Sequence, residues 1–110
     1  MDKKRLADHL QKYHLGAQNA ATSRELECTF GVKGIEIRHL VNGLRREGVP
    51  IASDGNGYYY ASAAQEVQAT IAHLTHRISG IAAAIRGLTR SLDAFDTAQT
   101  CLPLEGGDGL

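Results

Sequence analysis

The sequence predicts a mainly α fold with one β-hairpin, followed by a single long C-terminal helix. Three observations carry this. Three short stretches before residue 48 place apolar residues at helical spacing, and the period then drops to two on either side of a Gly-rich turn. From Val67 onward the apolar positions recur at alternating spacings of four and three, without a break, as far as Phe95. A chain of 110 residues has room for one small domain and an appendage, divided here as 1–61, 62–96 and a tail at 97–110 that is expected to be disordered.

The first stretch, about residues 2–14, sets Leu6, Leu10 and Tyr13 on one helical face. Residues 15–19 have no period and are expected to form a loop. Thr22-Ser23-Arg24-Glu25 is a capping box: the Thr22 hydroxyl can serve a backbone N–H of the first turn, and Glu25 can reach back. It opens a short helix that carries Leu26 and ends near Phe30, with Gly31 placed for a tight turn. In the next helix Ile37, Leu40, Val41 and Leu44 fall at i, i+3, i+4 and i+7 and define one face. Ile35, His39, Asn42 and Arg46 lie most nearly opposite, with Arg38 and Arg45 on one flank, and Gly48 stands where the helix should stop. Residues 49–53 and 58–61 then bracket Asp54-Gly55-Asn56-Gly57 as the two strands of a hairpin. Pro50 has no N–H to give and belongs at the start or open edge of its strand. The expected core is Leu6, Leu10, Leu26, Phe30, Ile37, Leu40, Leu44 and Ile51, with Cys28 packed near it.

Ser62-Ala63-Ala64-Gln65 reads as a second capping box, with Glu66 adding a favourable charge in the first turn. The heptad seam that follows has Ile71, Ile78, Ile85 and Leu92 at a, and Val67, Leu74, Ile81, Leu88 and Phe95 at d. A helix over 62–96 is roughly 52 Å long. A domain of ~60 residues is only about 27 Å across, so it is expected to cover about half of the seam. The remainder calls for a second copy of the chain, and Ile at a with Leu at d favours two strands. The flanking Thr70, Thr75, Arg77, Ala82, Ala84, Thr89 and Ser91 are nearly free of charge. A parallel dimer, an antiparallel dimer and a four-helix assembly all stay open.

Lys plus Arg number 12 and Asp plus Glu number 12, so the chain is formally neutral, which argues against a polycationic nucleic-acid wrapper. The balance is uneven: residues 1–50 carry nine Lys and Arg against six acids, and residues 51–110 carry three against six. The longest apolar run, residues 81–85, is far short of the roughly 20 needed to span a bilayer. No apolar stretch follows the basic start, so no secretory leader is expected. Cys28 and Cys101 read as reduced thiols of a cytoplasmic protein.

Helix, short helix, tight turn, helix and hairpin, in this order over residues 5–61, resemble a winged helix-turn-helix domain of the biotin-repressor type, as found in small bacterial and prophage regulators. Thr22-Ser23-Arg24-Glu25-Leu26 is similar to the start of the first motif helix, and Phe30-Gly31-Val32 to its turn. The stretch from Ile37 to Gly48 is similar to the recognition helix, and Val49-Pro50-Ile51 through Gly55-Asn56-Gly57-Tyr58 to the wing. The resemblance implies duplex DNA as a partner. Base-edge candidates are then Ile35, Arg38, His39, Asn42 and Arg46: Arg can donate twice to guanine, Asn can pair bidentately with adenine, and Ile35 can lie on a thymine methyl. Phosphate candidates are Thr22, Ser23, Arg24, Lys33 with the N-terminal end of its helix, Arg45 and Asn56. The hairpin tip carries Asp54 and no Lys or Arg.

The expected function is a homodimeric, sequence-specific DNA-binding protein that regulates transcription in a bacterium or phage. Two alternatives stand beside it: a phage or plasmid replication accessory protein, and an assembly module whose winged domain binds protein. No enzyme is expected, because no Gly-rich phosphate loop, paired catalytic carboxylates or Ser/His/Asp spacing occurs. No cofactor is implied. His73 and His76 stand three apart on one helix without a third ligand at suitable spacing, so no metal site is expected.

Overall fold

The structure is a computed structural model that describes residues 2–95. The chain divides between His73 and Leu74 into two compact units. Asp96, the expected end of the long helix, and the expected tail at 97–110 with Cys101 lie outside the described residues.

In the first unit, α1 (Lys3–Tyr13) starts at Asp2, whose Oδ1 accepts the Lys4 N–H at 3.1 Å. Its apolar face ends in full burial of Leu6 and Leu10. Helix α2 (Ser23–Phe30) is opened by the complete capping box: Thr22 Oγ1 accepts from the Glu25 amide at 3.1 Å, and Glu25 Oε1 accepts from the Thr22 amide at 2.8 Å. Gly31 ends it in the left-handed region at φ 67°, and its N–H reaches the Glu27 carbonyl. Helix α3 (Gly34–Arg46) follows α2 after three residues and buries Ile37, Val41 and Leu44. With Leu6, Leu10, Leu26, Ala21 and Ile51 these form the core. Phe30 and Leu40, expected within it, pack against its margin instead. Each fully buried Leu or Ile contributes about 1.5–3 kcal/mol relative to leaving it wet.

The hairpin is formed by β1 (Ile51–Asp54) and β2 (Gly57–Tyr60), with Ile51 opposite Tyr60 and Asp54 opposite Gly57. Two residues, Gly55 and Asn56, make the turn. The Asn56 amide donates to Asp54 Oδ1 at 2.8 Å. Strand β1 therefore runs one residue further than expected and begins only after Pro50. Strand β2 has partners on both edges. Leu15, in the segment expected as a loop, lies beside Tyr60, and Ala21, just beyond that segment, beside Tyr58, with a 3-10 turn at Ala17–Asn19 between them. Ala21 and Tyr58 exchange both backbone hydrogen bonds at 2.8 Å. Single-residue bridges leave no periodicity, which is why the pattern of residues 15–21 did not reveal them. Gly57 sits at φ 132°, and a Cβ there would lie 2.1 Å from the Ala21 carbonyl oxygen, so only glycine permits this approach.

Helix α4 (Ala64–Ser91) is shorter than the expected 62–96, and Leu92–Ala94 is a 3-10 turn. Ser62 stays outside the helix because it is held by Glu66 and not by Gln65. Glu66 accepts from the Ser62 amide at 2.7 Å and the Ser62 hydroxyl at 3.1 Å, and also from the Ala17 amide at 2.9 Å. At the other end the Ser91 hydroxyl donates to the Leu88 carbonyl at 2.6 Å, competing with the helical ladder where the tighter turn begins.

Candidate nucleic-acid interface

The outer face of α3 emerges directly from the burial of its inner face. With Ile37, Val41 and Leu44 turned inward, Arg38, His39, Asn42 and Arg46 are exposed, and Ile35 is 56% exposed despite being apolar. The four polar side chains make no hydrogen bond or ion pair among the described residues. All five base-edge candidates thus share one solvent-facing surface on a helix anchored from behind.

The phosphate candidates separate into two groups. Arg24, Lys33 and Asn56 are exposed, with Lys33 capping α3 through its backbone alone. Thr22 is exposed but already serves its own helix. Two candidates are turned inward. Ser23 donates its hydroxyl to Glu27 Oε2 at 3.0 Å. Arg45 is half-buried, its Nε donating to the Ile51 carbonyl at 2.8 Å and its Nη2 to Ser53 Oγ at 3.1 Å. Its guanidinium is a brace between α3 and β1, a correction to the expectation that it faces outward.

The start of α3 also differs from a bare phosphate cradle. The Glu27 carboxylate, held by Ser23, lies so close to Gly34 that a Cβ there would be 2.8 Å from Oε2. A negative charge in this position already complements the positive end of the helix dipole. Glu27 was missed because its i, i+4 link to Ser23 is legible, but its meeting with the next helix depends on the turn at Gly31.

The open edge of β1 is closed by side chains. Opposite Arg45's contribution, Thr70 Oγ1 accepts from the Ser53 amide at 3.2 Å and donates to the Glu66 carbonyl at 3.1 Å. Thr70, expected as a flanking position of the seam, is the buried residue of α4 at 6% exposure. Tyr59 is buried beside it, and burial together with the nearby Glu66 and Asp54 charges raises its phenol above the ordinary range. Tyr58 and Tyr60 project to the other face, half-buried, so the three tyrosines alternate as strand residues. Among the seam residues only Val67 and Leu74 are half-buried. Ile71, Ile78, Ile81, Ile85, Leu88, Leu92 and Phe95 are between 56% and 70% exposed.

Cys28, expected near the core, is exposed on α2. Two residues on from the buried Leu26, and so about 200° around the helix from it, Cys28 points to the outer side. No helix among the described residues is long and apolar enough to cross a membrane. In comparisons with known proteins, no family model matches the chain, and neither a curated protein nor a solved structure is significantly similar to it.

Proposed function

We propose that this protein is a homodimeric, sequence-specific DNA-binding protein that regulates transcription, with α3 as a recognition helix and the hairpin as a wing. The observation that carries the reading is the outer face of α3. Five side chains of suitable chemistry are exposed there, four of them polar and without an intramolecular partner, on a helix fixed by a fully buried opposite face. A helix about 10–12 Å wide fits the major groove. In that groove Arg38 donates to guanine, Asn42 pairs with adenine, Ile35 lies on a thymine methyl, and His39 and Arg46 reach flanking positions. Arg24 and Lys33 meet phosphate beside the groove, and Asn56 does so from the hairpin tip. The second edge of β2 and the Arg45 brace support a wing held rigidly against α3.

The exposed seam of α4 supports dimerisation. Each Ile or Leu left wet forgoes about 1.5–3 kcal/mol, and pairing with a second copy recovers it. Two copies present two recognition helices to two half-sites, which supplies affinity that one small, neutral domain lacks. Selection of bound sites from random duplex DNA tests the reading. Enrichment of a motif with two-fold symmetry is expected, and recovery of unenriched DNA overturns it.

A further inference from the structure

The exposed part of the α4 seam is complementary to itself under a two-fold axis. Val67 is half-buried within its own chain, whereas Ile71, Ile78, Ile81, Ile85, Leu88, Leu92 and Phe95 are 56% or more exposed. Ile71 and Phe95, Ile78 and Leu88, and Ile81 and Ile85 are each equidistant in sequence from Ala83. Leu92 is matched in the same way by the half-buried Leu74. A second helix that crosses Ala83 in the opposite direction therefore sets every exposed seam residue against an apolar one. Each of these layers joins an a position to a d position, as antiparallel pairing requires. The inner layers draw on α4 alone, and the outermost ones reach the 3-10 turn at Leu92–Ala94.

Sliding the second helix by one heptad spoils the match. In one direction Phe95 falls against Ala64, and Val67, already half-buried, is drawn into a layer. In the other direction Ile71 and Leu74 face positions beyond Phe95, where the seam ends.

A parallel pair uses the same residues less well. It sets each residue against its own copy, so Ile78, Ile81 and Ile85 put Ile at both a and d through the middle of the seam. In parallel coils that pattern favours more than two strands. In the antiparallel pair Ile81 packs on the partner's Ile85 instead. The edges of the seam point the same way. Between opposed helices e faces e and g faces g, so Ala82 meets its own copy on one edge and Ala84 on the other, beside the axis. No long side chain holds the helices apart there, whereas parallel pairing sets Arg77 at g against Ala82 at e. Opposed helix macrodipoles also attract, and parallel ones repel.

We propose that the second copy required by the dimer reading pairs with α4 antiparallel, with the two-fold axis passing beside Ala83; this rests on that reading and adds the partner's direction and register. The N-termini of the two α4 helices then stand at opposite ends of the pair.

The test uses the full-length chain with Cys28→Ser and Cys101→Ser, and one new cysteine at a time: Ala69→Cys, His76→Cys, Ala83→Cys or Arg90→Cys, each carrying a nitroxide. All four positions are exposed and follow one another at heptad spacing, away from the seam. Electron–electron dipolar spectroscopy reads the separation of equivalent labels in two copies. At about 1.5 Å per residue, the antiparallel pair leaves the labels level at position 83 and offsets them along the axis by about 21 Å at 76 and 90, and by about 42 Å at 69. The distance should be shortest at 83, longer and equal at 76 and 90, and longest at 69. One distance shared by all four positions overturns the proposal in favour of parallel pairing and leaves the dimer reading in place. Unequal distances at 76 and 90 overturn the register centred on Ala83. Two distances at 83 mark a four-helix assembly and overturn the simple pair. Absence of any dipolar distance, with a monomer mass in sedimentation, overturns the dimer reading and the proposal with it.

Discussion

Arg38 and Arg45 stand two turns apart on α3 with the same chemistry and opposite surroundings. Arg38 is exposed and unpartnered, whereas Arg45 is bonded to Ile51 and Ser53 of β1. Arg45→Ala should therefore lower stability by about 1–2 kcal/mol in urea unfolding, because it strips two acceptors of a charged donor. Arg38→Ala should change stability by less than about 0.5 kcal/mol. On DNA the order reverses. Arg38→Ala and Asn42→Ala should each weaken a preferred site by about 1–3 kcal/mol with little effect on unrelated sequence, measured by competition binding. Equal losses on both kinds of DNA show that these side chains do not read bases. The outward direction of Arg38 and Asn42 was legible, since 100° per residue from Ile37 and Val41 fixes it. The fate of Arg45 was not, because it depends on the hairpin folding back across α3, and nothing local encodes that approach.

At the scale of elements, the junction before α4 rests on one carboxylate. Glu66 joins the Ala17 amide of the 3-10 turn to Ser62, and these hydrogen bonds, that to Ala17 first, hold its carboxyl below the ordinary value of 4.5. A carboxyl with a depressed native pKa contributes stability that is fully present above its unfolded value and is lost as pH falls through the native one. Glu66→Gln should consequently be less stable than the parent at neutral pH, and the gap should narrow as the pH is lowered from neutral to well below 4.5 and through the depressed native value. Urea midpoints at the two ends of that range decide it, and a gap independent of pH sinks the explanation. The elements themselves were legible because each carries its own signal: capping residues at Thr22, a left-handed stop at Gly31, turn residues at 54–57. The start of α4 was displaced by two residues because the capping pattern fits Gln65 as well as Glu66, and only the approach of Ala17 favours the charged one. Thr70 was misplaced for a related reason, since a heptad pattern identifies the apolar stripe but not which edge of it meets the hairpin.

On the scale of the whole molecule, the bare seam of α4 predicts that the chain does not exist as a monomer. Sedimentation equilibrium at low micromolar concentration should give at least twice 11.8 kDa. Replacing Ile78 and Ile85 together with Asp should separate the copies, because unpaired carboxylates in an apolar interface cost several kcal/mol each. The first unit should stay folded, as its core draws on Leu6, Leu10, Leu26, Ile37 and Val41. Affinity for a duplex with two half-sites should then fall by orders of magnitude. A folded monomer that binds as tightly as the parent refutes the dimer reading. The double partnership of β2 has a consequence for kinetics. Its second edge is supplied by Leu15 and Ala21, so the hairpin is completed only after a long stretch of intervening chain has been closed into a loop. The excised segment 49–61 should accordingly remain unstructured. In the intact chain the amides of Ala21, Tyr58 and Tyr60 should exchange with solvent only through global opening, which makes the strand late to form and among the last to let go.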